Sequence, residues 1–213
     1  MVCGICEKRP PKRYCPAKGE KICAICCGRE REITIDCPSD CPHLIAARRY
    51  EAEHRKSPGG NEYPYRDVAV REDFVNERWP AIAGLASAIL TFQVRRRDLT
   101  DSDVLSALSS MAETLRTLGT GIYYERPPDA PIARALYGQI GEFLQEFRNN
   151  ETFRAGAPAL KDSEAFLLMV FLLRVANSES NGRSRSRAFL DFLRARFPVP
   201  TESAQETPRI IIP

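Results

Sequence analysis

The chain has 213 residues, 43% of them apolar and 28% charged, with a formal net charge of +3. That length fits one ordinary domain plus a small module, or two small domains, and the composition supports a real core. A net charge this small does not by itself point to a nucleic-acid partner. The distribution says more, because residues 1–60 carry 12 Lys and Arg against 8 Asp and Glu, while the rest carry 19 against 20. Two zinc ions on eight thiolates would add about +4 and −8 and bring the first segment close to neutral. Its basic residues therefore compensate thiolate charge in part, and they are also a candidate binding surface.

The chain begins Met1-Val2-Cys3, with no positive stretch leading into an apolar one, so no secretory signal is expected. The longest apolar run, Ala165 to Leu173, is too short to span a bilayer and reads as a buried helix. A cytoplasmic, reducing location follows as an expectation, and there cysteines serve metals more often than disulfides.

All eight cysteines fall in the first 41 residues: Cys3, Cys6, Cys15, Cys23, Cys26, Cys27, Cys37 and Cys41. Two CxxC pairs, Cys3-Gly-Ile-Cys6 and Cys23-Ala-Ile-Cys26, each turn two sulfurs toward one point. Together they supply four thiolates, the donor set of a closed tetrahedral zinc site. Cys15, Cys27, Cys37 and Cys41 suffice for a second ion, with the ligands interleaved as a cross-brace that ties together a segment too small for its own core. The vicinal pair Cys26-Cys27 cannot easily aim both sulfurs at one ion, so it is divided between the two sites. A single-zinc version leaves Cys15, Cys37 and Cys41 free. If Cys27 rather than Cys26 serves the first site, His43 can complete the second; otherwise His43 is an exposed first-turn histidine. Asp40 and Pro42 suit the start of the helix that follows. The expected cofactor is Zn2+, two ions or at least one.

Cys3-x2-Cys6, Lys12-Arg13-Tyr14-Cys15-Pro16 and Cys23-x3-Cys27 together resemble the HIT-type zinc finger, over roughly the first 27 residues. The resemblance implies a two-zinc treble-clef cross-brace, related in layout to MYND and B-box fingers, with a protein-interaction role. The chain departs from that pattern at Lys18, where the family has a cysteine, and in its last ligand pair, Cys37-x3-Cys41.

After a linker at 56–66, marked by Pro-Gly-Gly, the pattern is helical throughout. Ile82, Leu85, Ala86, Ile89, Leu90 and Gln93 form one stripe, with Pro80 near its start. Thr100-Asp101-Ser102-Asp103 resembles a capping box opening a helix through Val104, Leu108, Met111, Leu115 and Leu118, closed by Gly119 or Gly121. Asp129 and Pro131 open a helix whose face is Ile132, Leu136, Ile140, Phe143, Leu144 and Phe147; close helix packing accounts for Gly138 and Gly141. A very apolar helix runs from Asp162 or Ser163 to about Ala176, and a last one from about Ser184 to Arg196. The expected fold is mostly α: a zinc module over 1–55 with short hairpins and one helix, then a bundle of about five helices over 67–197 and a flexible tail at 198–213.

Little in the helical part looks chemical. No histidine follows His54, and no glycine-rich phosphate loop is present. Glu113 with Glu125, or the group Asp98, Asp101 and Asp103, can suggest carboxylate pairs; the second group sits in a helix-start segment, where acids favour the dipole and a structural role. Tyr123-Tyr124-Glu125-Arg126 is a loop that can anchor a partner or simply cover the bundle end. The run Asn181 to Arg187 sets three arginines at alternate positions, either as phosphate contacts or as a solvated face. Arg95-Arg96-Arg97 suits a helix C-terminus. The final Arg209-Ile210-Ile211-Ile212-Pro213 can dock on the bundle or a partner.

The function expected from these features is that of a non-catalytic zinc-binding adaptor recruiting a protein partner, without a small-molecule substrate. The alternatives are a nucleic-acid-associated regulator using Lys8, Arg9, Lys12, Arg13, Arg29 and Arg31, and a thiol-redox sensor.

Overall fold

A computed structural model describes residues 2–54, 63–119, 124–153 and 160–197. The expected tail, Tyr123, Gly121 and most of the expected linker lie outside these residues. The N-terminal segment begins with a turn at Cys3–Cys6 and a two-stranded antiparallel hairpin, β1 (Arg13–Cys15) and β2 (Glu20–Ile22). Gly19, at φ +68°, supplies the left-handed residue that closes the turn onto the Cys15 carbonyl. Strand alternation turns Cys15 and Ile22 inward and leaves Tyr14 outside. Helix α1 (Ala24–Glu30) follows directly, with Cys23 as its N-cap. Helix α2 (Pro42–Glu53) starts one residue later than Asp40 would place it: Cys41 is the N-cap, and Pro42 takes the first helical position.

Beyond it the fold is a helical bundle of α3 (Glu72–Glu77), α4 (Trp79–Arg95), α5 (Asp101–Leu118), α6 (Pro131–Phe153), α7 (Asp162–Glu179) and α8 (Ala188–Arg196). That is six helices where the periodicity suggested about five; the extra one is the short α3, too brief to show an apolar stripe. Helix α5 is central, packing on α6, α7 and α8, while α4 closes the other side against α6, α7 and α8. Leu85, Ile89, Leu108, Leu136, Ile140, Leu168 and Phe189 meet in one core. Among the described residues no helix is long and apolar enough to cross a membrane.

The Thr100–Asp103 capping box forms as expected, each side chain bonding the other residue's backbone N–H. The glycine expectation needs correction at Gly138, whereas a Cβ at Gly141 would stand in ordinary contact, 3.6 Å, with Met111 of α5. Gly138 faces open space, whereas a Cβ at Gly84 would fall 2.5 Å from the Phe143 ring, so Gly84 is the glycine that lets α4 and α6 approach. Residues 63–66, assigned to the linker, are held on the bundle. Arg174 donates to the carbonyls of Pro64, Tyr65 and Val68, and the Tyr65 hydroxyl bonds Glu113 while its ring meets Phe166 edge-on. Burial followed by the Glu113 bond raises the Tyr65 phenol, whereas Glu113 is held below its usual value because Tyr65 and Arg116 outweigh its partial burial.

Helix α8 starts four residues later than the sequence suggested, because the arginine run before it is stitched elsewhere. The buried carboxylate of Asp101, the first residue of α5, accepts from the Ser186 hydroxyl and from the backbone N–H groups of Phe189 and Leu190. An acid from one helix thus caps the start of another. Burial raises the Asp101 carboxyl, and these hydrogen bonds recover only part of that shift.

The same run joins the cysteine-rich segment to the bundle. Arg183 donates to the Arg31 carbonyl at 2.8 Å and pairs with Glu51. The Arg185 backbone N–H meets the Glu32 carbonyl, and Arg187 pairs with Asp36. Glu32, almost fully buried, accepts from Arg48 at 2.6 Å and from Asn181 at 2.8 Å; Arg48 in turn reaches Asp191 of α8.

Candidate metal centre

The sulfurs of Cys3, Cys6, Cys23 and Cys26 all lie within 4.8 Å of one another, and three of these residues are buried. Two local devices bring them together. The Cys3–Cys6 turn is closed by the Glu7 N–H bonding the Cys3 carbonyl at 2.8 Å and the Cys3 N–H bonding the Arg9 carbonyl. The other pair occupies the first turn of α1, where N-cap and third position share a face. The Cys23 sulfur accepts the Cys26 N–H at 3.4 Å, and the Cys3 sulfur accepts the Cys23 N–H at 3.2 Å. A tetrahedral ion with metal–sulfur bonds of about 2.3 Å needs sulfur–sulfur edges of about 3.8 Å. Cys6 and Cys23 stand at 4.0 Å. The donor set can therefore hold a metal ion, the sulfurs drawing in by at most about 1 Å.

The electrostatics of the four sulfurs suit a cation. Burial raises the Cys3 thiol, yet backbone N–H groups of Cys23, Cys6 and Ile5 outweigh it and lower its pKa to about 6. Cys6 is lowered as well, mainly by the backbone of Lys8 and Arg9. Cys26 moves the other way: burial, then the neighbouring sulfurs, push it up to about 12. Four thiolates cannot crowd together uncompensated, and the mutual repulsion raises Cys26 most clearly. The Arg9 guanidinium, raised by its hydrogen bond to Cys23 and by the charges of Cys6, Cys23 and Cys26, supplies part of the balance.

Cys26 rather than Cys27 joins this group. One residue along α1, Cys27 is turned about 100° away, and its sulfur faces the Arg13 guanidinium at 3.7 Å. Cys15 and Cys41 are buried and Cys37 half-buried. Burial raises the Cys37 thiol, and the charges of Cys41, Glu32 and Cys15 push it the same way, so these three sulfurs are electrostatic neighbours. They do not close into a second group of the same tightness among the described residues. His43 is half-buried in the first turn of α2. His54, exposed at the end of that helix, stacks on Tyr50 and bonds its carbonyl.

The acids of the helical part have structural partners. Asp98 pairs with Arg96, which holds its carboxyl below the usual range; Asp103 caps α5; Glu125 accepts from Tyr137. Of the six basic residues set around the cysteines, Arg9, itself exposed, and Arg13 turn to sulfurs and Arg31 is buried, while Lys8, Lys12 and Arg29 are exposed. Sequence reasoning missed Glu32, whose position between Arg31 and Ile33 carries no motif. Its left-handed backbone, at φ +53°, shows only in the fold. No family model matches the chain, and no curated protein or solved structure matches it.

Proposed function

We propose that the protein is a zinc-binding, non-catalytic adaptor whose cysteine-rich segment, carried on a helical bundle, recruits a protein partner. The observation that supports this reading best is the four-sulfur group. Four thiolates complete the coordination of a tetrahedral zinc and leave no position for water or substrate, which is the design of a structural site. The order of turn, hairpin and helix N-terminus is that of a treble clef. A second zinc on Cys15, Cys27, Cys37 and Cys41 completes the cross-brace. With Cys26 committed to the first site, Cys27 is left for the second and His43 is not required.

Native mass spectrometry in a volatile buffer, without added zinc, tests the metal reading; two zinc ions are expected. In-cell cross-linking of the wild-type chain and Cys3→Ser tests the adaptor reading. A specific protein adduct should form with the first and disappear with the second. An apo mass with eight freely titrating thiols would sink the zinc assignment. A nucleic-acid adduct that weakens with salt would instead favour a regulator acting through Lys8, Lys12 and Arg29.

A further inference from the structure

An open cavity of about 450 Å³ lies at the seam between the cysteine-rich segment and the bundle, and the proposed adaptor role leaves it unused. Its size falls within the range of small-ligand pockets, and junctions between structural units are where such pockets concentrate. Three guanidinium groups from two stretches line it: Arg97 after α4, and Arg187 and Arg194 at the N-cap and within α8. Asp36 is the one carboxylate among the described lining residues. Two of the arginines are already held in place. Arg187 donates to the carbonyls of Leu99 and Arg97, both at 3.2 Å, and Arg194 is fixed by Asp191 at 2.6 Å and by Gln93 at 2.9 Å. Preorganised donors lose little freedom when a ligand arrives. Arg97, by contrast, is exposed and can swing over an occupant.

We propose that this cavity binds a small phosphorylated molecule, its phosphate held by Arg97, Arg187 and Arg194. Guanidinium forks match phosphate oxygens bidentately, and Leu90, Val94 and Pro38 provide an apolar wall for the uncharged body of the ligand. Asp36, half-exposed and paired with Arg187, occupies the anion's place until the ligand displaces it. A nucleic-acid backbone fits less well, because the arginines converge on one concavity instead of following a stripe. A ligand here would bridge the loop containing Cys37 to the bundle.

Isothermal titration of the metal-loaded full chain with inorganic phosphate and with adenosine monophosphate tests the site and separates the phosphate from its ester body. One-to-one saturable binding is expected for at least one probe. It should weaken at least about tenfold in the double variant Arg97→Gln/Arg194→Gln, since two charge-assisted bonds are lost. Asp36→Asn should bind several-fold more tightly. Both arginines are substantially exposed, and unchanged circular dichroism of the variant would verify its fold; should it unfold, Arg97→Glu alone carries the same expectation. Absence of saturable binding to either probe would overturn the proposal. So would affinity retained in the arginine variants, or binding to a single-stranded oligonucleotide that grows with its length and exceeds that of both probes.

Discussion

Cys26 and Cys27 are adjacent and chemically identical, and the helix alone distinguishes them. Because α1 begins at Cys23, Cys26 returns to the same face and Cys27 does not. Cys26→Ser should therefore lose the ion of the four-sulfur group, whereas Cys27→Ser should keep it; a metal titration with a chromogenic chelator reads the difference. Glu32 shows the same dependence on position. A non-glycine residue in the left-handed region carries a cost of roughly 1–2 kcal/mol, offset here by a carboxylate bonded to both Arg48 and Asn181. Glu32→Ala would leave Arg48 part-buried with only Asp191 as its partner, at a cost of about 1–3 kcal/mol. Chemical denaturation should show that loss, and a double-mutant cycle with Arg48→Ala should show strong coupling.

Helix boundaries follow the same logic one level up. The start of α5 is written locally, since Thr100 and Asp103 cap each other across three residues. The start of α8 is not, because its cap is Asp101, 88 residues upstream of Phe189. Asp101→Ala would orphan the Ser186 hydroxyl and two backbone N–H groups and should lower stability by about 2–3 kcal/mol. Hydrogen exchange should accelerate first at Phe189 and Leu190. Between α4 and α7, Arg78 pairs with Glu164 at 2.7 Å. Burial raises the Glu164 carboxyl, but the Lys161 backbone N–H and Arg78 outweigh it, so its pKa lies below the ordinary 4.5. A depressed folded-state pKa gives stability that is present above the unfolded value and lost as pH falls through the folded one. Glu164→Gln should consequently flatten the decline of melting temperature below about pH 4.5; an unchanged profile would place the acid sensitivity elsewhere.

For the whole molecule, the cysteine-rich segment and the bundle have separate apolar cores, and the seam between them is mainly polar. Stripping the metal should unfold the first segment while leaving most helix in place, because Leu85, Leu108, Ile140 and Leu168 form a core that needs no sulfur. Limited proteolysis should then cut within residues 2–54 while the bundle resists. Loss of Glu32, Asp36 and Arg48 from the seam should also loosen the start of α8, and unchanged exchange at Ser186–Leu190 would contradict that coupling.

The helical class and the two CxxC pairs were legible in the sequence because both depend on short spacing: a stripe repeats every three to four residues, and a CxxC turn closes within four. The capping box at Thr100 was legible for the same reason. What the sequence left open was every choice between equivalent residues or distant partners. Whether Cys26 or Cys27 joins the group, that Gly84 rather than Gly138 admits a neighbouring helix, and that Arg183 and Arg187 face the cysteine-rich segment all depend on which elements pack together. A local pattern can place a side chain on a face of its own helix. Only the tertiary structure decides what stands opposite that face, because such partners lie far away in sequence and leave no spacing to read.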